Sequence, residues 1–181
     1  CSPRMYAPQC KACRSKHDWL WGVDKMIDDA RHACTTKSTL ALETLDPDKF
    51  RPFGMILEPP GTENRPRTES QFSTLAKIDS PGWALASSVV RNRAIDRIAQ
   101  HPSTSEAFIP ISGCPVIVVA EYESPGELRA FVLDRPVLIK EKIWHSTLTL
   151  TRTSEIRIVE NAEVTAESRL LGCRLEPTLS E

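Results

Sequence analysis

From residue 72 to residue 160 the chain is a succession of short, β-branched or alternating segments with no helical pattern between them. This feature limits the fold more than any other. The segments are Phe72–Ile78, Trp83–Val90, Ala94–Ala99, Ala107–Ile111, Val116–Glu121, Leu128–Leu133, Val137–Ile139, Thr147–Thr151 and Glu155–Glu160. Turn chemistry separates them at Ser80-Pro81-Gly82, Ser112-Gly113-Cys114-Pro115, Ser124-Pro125-Gly126 and Asp134-Arg135-Pro136. Pro and Gly supply the φ values that chain reversal needs. Strands at this spacing, with no helices to carry crossovers, predict an all-β sandwich or barrel. After about Ala166 the pattern weakens and no element is assigned.

Upstream the texture changes. Glu43 to Gly54 reads as a strand end, a helical turn capped by Asp46 before Pro47, and a glycine exit. Met55 to Glu58 is a short strand, and residues 58–71 have the composition of a loop, with Arg65 and Arg67 on it. The chain therefore divides into a cysteine-rich N-terminal extension, residues 1–42, and a β-barrel domain, residues 43–181. Cys10-Lys11-Ala12-Cys13 has the bite of half a zinc site, with His17, His32 and Cys34 behind it. His32-Ala33-Cys34 leaves one residue between ligands where zinc sites use two or more, so ordinary free cysteines are expected. Trp19 to Ala30 repeats at three and four and predicts a short amphipathic helix that packs on a neighbouring surface, the alternative being a poorly ordered extension.

Net charge is -1, with no basic cluster, which excludes a nucleic-acid partner. Apolar runs such as Val116 to Ala120 are far too short to span a bilayer, so no membrane partner is expected. A domain of this size needs no disulfides and no secretory signal is visible, which points to a cytoplasmic location. Because the sequence starts at Cys1 rather than Met, a processed product, a fragment or an incomplete gene is expected.

The strongest chemical constellation is His101-x4-Glu106-x6-Gly113, followed downstream by His145. Near a hairpin turn, alternating side chains from paired strands point into one cavity. Two histidines and a carboxylate form a facial triad suited to Fe, Mn or Zn with open positions. The plain alternative is that His101 caps a turn, Glu106 pairs with an arginine and His145 is a satisfied core histidine.

These motifs resemble those of the cupin superfamily, and within it the ureidoglycolate lyase family is the closest match. Leu45 to Gly54 is similar to the family's opening, and His101-Pro102 with Phe108-Ile109-Pro110 to its middle. Leu128-Arg129-Ala130-Phe131 and Trp144-His145 resemble its second motif. The chain departs from the pattern at Ala99, where a cupin places another histidine. It departs again at Lys142, where glycine or asparagine is common, and at Ser146-Thr147.

The resemblance implies a cupin-type double-stranded β-helix (jelly-roll) barrel with a partly helical N-terminal extension. It implies a carbon–nitrogen lyase that releases urea and glyoxylate from ureidoglycolate or acts on a related small hydroxy acid, within allantoin degradation and purine catabolism. Such a reaction needs a base for the hydroxyl proton, an acid for the departing nitrogen and a cation for the carboxylate. His101 and His145 are the candidate bases, and Glu106 serves as acid or base if its cavity raises its pKa. Arg129, facing inward or outward, and Lys140 are candidate carboxylate clamps. Phe108 and Trp144 are assigned to the cavity wall. The lyase reading requires no metal. Rival readings are a metal-dependent cupin (a dioxygenase or isomerase) and a non-catalytic small-ligand-binding barrel. Open sheet edges predict a homodimer.

Overall fold

The structure, a computed structural model, describes residues 37–59, 72–80 and 82–179. The Cys10/Cys13 pair, the helix expected over Trp19 to Ala30, His17, His32, Cys34, Arg65 and Arg67 lie outside the described residues.

In chain order the elements are β1 (Lys37–Thr44), α1 (Pro47–Phe50), β2 (Gly54–Ile56), β3 (Trp83–Val90), β4 (Ile95–Gln100), β5 (Glu106–Ser112) and β6 (Pro115–Ala120). Then follow β7 (Arg129–Val132), β8 (Val137–Ile139), β9 (Trp144–Thr149), β10 (Ser154–Asn161) and β11 (Glu167–Leu179). Strands β6 and β7 form an antiparallel hairpin, and the flanking strands pair around it in nested order: β5 with β8, β4 with β9, β3 with β10. This is a long hairpin wound on itself, the connectivity of a double-stranded β-helix or jelly roll. One sheet closes as a barrel in the order β1-β11-β4-β9-β6-β7, sealed by β1, which runs parallel to both β11 and β7. The other is an open sheet ordered β2-β8-β5-β10-β3. The boundary expected at residues 42 and 43 falls inside β1.

Strand β6 explains why two cores exist. It is buried along its whole length, which suits its unbroken Val/Ile run. Val116, Val118 and Ala120 pack with Leu42, Ile98, Trp144 and Leu148 on one side. Ile117 and Val119 face the other way, into a core with Phe108, Phe131, Ile139 and Ile156 between the two sheets. Each such side chain contributes about 1.5–3 kcal/mol by leaving water. Asp46 caps α1 as its sequence predicts, its Oδ1 accepting from the Asp48 and Lys49 amides at 3.0 Å each, and Phe50 is driven into the inter-sheet core.

Two expectations are corrected. Phe72 to Ile78 is not a strand: Phe72, Leu75 and Ile78 are exposed and no strand pairs with them among the described residues. The unassigned tail after Ala166 is instead a 13-residue strand, β11, paired to β1 and β4. Its register against β4 shifts between Leu170 and Leu175, with Gly172 at φ +67°, so the period-two signal is interrupted where it would have been read.

Gly113 turns the chain between β5 and β6 at φ +80°, where a Cβ would stand 2.4 Å from the Thr153 carbonyl oxygen. Gly113→Ala is expected to cost about 1–3 kcal/mol, read as a lower denaturant midpoint with an unchanged slope. An unchanged midpoint would mean that this turn is not constrained as described.

Candidate active site

The nested pairing delivers three polar side chains to the gap between the sheets. Ala99 of β4 is opposite His145 of β9, and His145 is also opposite Val119 of β6. Along β9 the faces alternate, so Trp144 and Leu148 enter the barrel core while His145 faces the gap. His101 follows the end of β4 on the same face as Ala99. Glu106 opens β5 in the opposing sheet, opposite Ile139, with Phe108 next on its face.

The turn between His101 and Glu106 is pinned from two sides. Asn161 Nδ2 donates to the Ser103 carbonyl at 3.1 Å and to Thr104 Oγ1 at 3.2 Å. The Lys142 amide donates to the His101 carbonyl at 2.8 Å. Lys142 does so at φ +62°, a left-handed conformation that costs a side-chain-bearing residue about 1–2 kcal/mol. This is the physical reason that glycine or asparagine suits the position.

His101, Glu106 and His145 are all buried, and one ligand atom from each lies within 4.8 Å of the others. His145 Nε2 is 3.0 Å and His101 Nε2 3.4 Å from Glu106 Oε2. The other ring nitrogens are fixed by carbonyls: His101 Nδ1–H donates to Thr165 at 2.9 Å and His145 Nδ1–H to Ile143 at 3.0 Å. A carbonyl only accepts, so both rings carry a proton at Nδ1 and turn Nε2 toward the carboxylate. Burial pushes the His101 pKa down, and the charge of Glu106 does not overcome it. Burial also opposes charge on His145, but the Glu106 carboxylate and the Ile143 carbonyl outweigh it and raise the pKa. For Glu106 burial pushes up, yet His145 and then His101 hold the carboxyl below its usual value. Burial alone would raise Glu106, and the two imidazoles reverse that direction. These directions favour charge on His145 against the Glu106 carboxylate and oppose it on His101.

The convergence also suits a divalent cation. Donors about 2.0–2.2 Å from one ion stand about 3 Å apart, close to the separations of Glu106 from His145 and His101, and each histidine has the carbonyl partner at Nδ1 that orients a metal ligand.

The other residues singled out from the sequence are placed differently. Phe108 meets the His145 ring edge-on with centroids 5.7 Å apart, and forms a wall of the site. Trp144 does not: it lies on the opposite face of β9, stacked on Tyr122 and donating Nε1–H to the Tyr122 carbonyl at 3.3 Å. Arg129, opposite Val119, shares the inner face with His145 two strands away. Its guanidinium leans toward β1, donating to both Glu43 oxygens at 2.8 and 2.5 Å and to the Lys49 carbonyl at 3.0 Å. It also stacks 4.9 Å from the Phe131 ring centroid. The guanidinium is thus committed to Glu43 rather than turned to the histidines. It lines a cleft of about 320 Å³ with Phe53, Glu121 and Glu127. Lys140 Nζ donates to the Arg51 and Pro52 carbonyls at 2.7 and 2.9 Å, closing the end of α1.

Sequence reasoning missed Glu160. Strand β10 pairs with β5 through Ile158–Phe108 and Val159–Ala107, so the next inner-face position, Glu160, comes beside Glu106. The two carboxyl groups are close enough to act electrostatically on each other. The available signal was a charged residue continuing the inward Ile156, Ile158 series.

A closed, nested jelly roll with two histidines and a carboxylate converging between its sheets defines a cupin-type barrel. The profile of the ureidoglycolate lyase family matches residues 37–171, and the chain belongs to that family. It is 30% identical to a ureidoglycolate lyase of Brucella anthropi over 141 residues, covering 68% of this chain and 83% of that protein. A ureidoglycolate lyase 2 of Rhizobium meliloti is 29% identical over 154 residues, 76% of this chain and 90% of that one. One from Pseudomonas syringae pv. tomato is 30% identical over 142 residues, 68% and 84%. Solved structures with some likeness include a dTDP sugar isomerase from Desulfovibrio desulfuricans. It is 16% identical with a TM-score of 0.40, covering 70% of this chain and 80% of that one. A mutant of Bacillus subtilis oxalate decarboxylase is 20% identical with a TM-score of 0.37, covering 48% and 24%.

The Glu43–Arg129 pair yields a pH prediction. The Arg129 hydrogen bonds hold the Glu43 carboxyl below its usual range, outweighing burial. A depressed folded pKa stabilises above the unfolded value, here 4.5, and that stabilisation fades as pH falls through the folded one. Arg129→Met should therefore destabilise the chain at about pH 7 and much less at about pH 3, compared by denaturant titration. An equal deficit at both would assign the effect to packing alone.

Proposed function

We propose that the chain is a carbon–nitrogen lyase that cleaves ureidoglycolate to urea and glyoxylate, with the His101–Glu106–His145 cluster as its centre. The reading is carried by the convergence of those side chains, in a chain of this family, on one buried point. In the substrate one carbon bears a hydroxyl, a carboxylate and a ureido nitrogen. His101 Nε2, its lone pair defined by the Thr165 contact at Nδ1, takes the hydroxyl proton. As the carbonyl of glyoxylate forms, the carbon–nitrogen bond breaks and its electrons pass to the ureido nitrogen. His145 Nε2–H, oriented by Ile143 and Glu106, supplies the proton that completes urea. Glu106 remains a carboxylate and holds both rings. Phe108 keeps the gap dry, which strengthens each of these interactions. A divalent ion held by His101, Glu106 and His145 would supply a Lewis acid to the substrate's oxygens, a task the imidazoles otherwise perform through protons.

With Arg129 and Lys140 engaged elsewhere, the charge that meets the substrate carboxylate is that of the His145 side. The expected location is the cytoplasm, which suits the free thiols of Cys114 and Cys173.

Purified chain should release urea and glyoxylate in equal amounts from ureidoglycolate. His101→Ala should lower kcat about 100- to 10,000-fold while the fold persists. No product at high enzyme concentration, or full activity in the variant, would contradict the assignment.

The chain is further proposed to form a homodimer through β3. That strand ends the open sheet and carries no charged residue, and it exposes Trp83 (72%), Leu85 (59%) and Val89 (47%). Long uncharged edge strands seek cover. Light scattering should give twice the chain mass, and Leu85→Lys should give the monomer. A wild-type monomer would dismiss the interface.

A further inference from the structure

We propose that Glu160 is a fourth member of the site and binds the N–H groups of the substrate's ureido moiety. The inference rests on the lyase reading above and names the part of the substrate that the triad does not address. Three observations carry it. The β10–β5 register puts Glu160 on the inner face beside Glu106, and the charges of Glu106 and His145 act on it. It is half-buried whereas the other three are buried, so it stands between the cluster and the outside. Its position is fixed, because the next residue, Asn161, is bonded to the turn that joins His101 to Glu106.

A half-buried carboxyl group facing another carboxylate is a costly arrangement unless something rewards it. Among the described residues no Lys or Arg forms an ion pair with Glu160.

A monosubstituted urea presents two parallel N–H bonds spaced for the two oxygens of one carboxylate. A simple 2-oxo acid offers no such pair of donors. In this arrangement the hydroxyl- and carboxylate-bearing carbon lies toward the histidines and the ureido group toward Glu160. Glu160 thereby selects for ureido acids over hydroxy acids of similar size.

The test compares two stable ligands on the full chain. Oxalurate carries a carboxylate and a ureido group; glyoxylate carries the carboxylate without it. In Glu160→Ala, oxalurate affinity measured by calorimetry should fall about 10- to 100-fold, the worth of hydrogen bonds to a charged group. Glyoxylate affinity should stay within about twofold by the same criterion. Glu160→Gln keeps the side-chain shape and one acceptor, so its oxalurate loss should be smaller, with an unchanged thermal midpoint. Equal weakening of both ligands, or unchanged oxalurate affinity in both variants, would overturn the inference, as would a wild-type chain that does not bind oxalurate. Wild-type turnover with unchanged oxalurate binding in the variants would sink the role of Glu160 and leave the lyase standing. A wild-type chain without turnover whose oxalurate binding still depends on Glu160 would do the reverse.

Discussion

A carboxylate buried between two imidazoles is the constraint around which this molecule is arranged. Removing Glu106 from water costs several kcal/mol unless opposite charge and hydrogen bonds meet it inside. The compensation comes from the other sheet: His145 from β9 at 3.0 Å and His101 from the end of β4 at 3.4 Å. Each imidazole needs its own second anchor, found in the carbonyls of Ile143 and Thr165. Four stretches of chain, at His101, at Glu106, from Ile143 to His145 and at Thr165, must therefore be in place before the cluster is satisfied. The nested hairpin meets that requirement because it pairs β4 with β9 and β5 with β8 around one centre.

The two ends of β10 show how the fold divides labour. At one end Ser154 Oγ bonds Thr149 Oγ1 at 2.6 Å in a buried hydroxyl network beside Gly113, and chemistry there is limited to closing turns. At the other end Glu160 and Asn161 reach the turn that bears the titratable groups. The Arg129–Glu43 pair, by contrast, joins β7 to β1 across the seam of the barrel. It shares an inner face with His145, but its direction makes it a clasp on the closing strand, with Phe131 as the surface on which it rests.

Sequence reading recovered what depends on local chemistry. Turn residues and alternation located the strands from β3 to β10, with β9 starting at Trp144 rather than at the expected Thr147, and Asp46-Pro47 marked the capped turn. The spacing of His101, Glu106 and His145 anticipated a meeting that only strand pairing makes real. What was illegible depends on partners far away in sequence. Strand β11 is broken by a bulge at Gly172, and its stability comes from β1 and β4 on either side. Phe72 to Ile78 has strand composition but no neighbour to pair with among the described residues. Whether Arg129 served a ligand or a glutamate could not be decided from an alternating strand, because both uses require the same inward face. Trp144 was misplaced by one position of the β alternation, which sends neighbours to opposite cores. Glu160 was overlooked because a glutamate at a strand end reads as surface until the register against β5 is known.

The most direct measurement of the central claim is a crystal structure of the chain with glyoxylate bound. The account requires ordered glyoxylate in the gap beside Phe108, its oxygens about 3 Å from the Nε2 atoms of His101 and His145. Glyoxylate seated only in the cleft beside Arg129, with the three buried groups untouched, would contradict it.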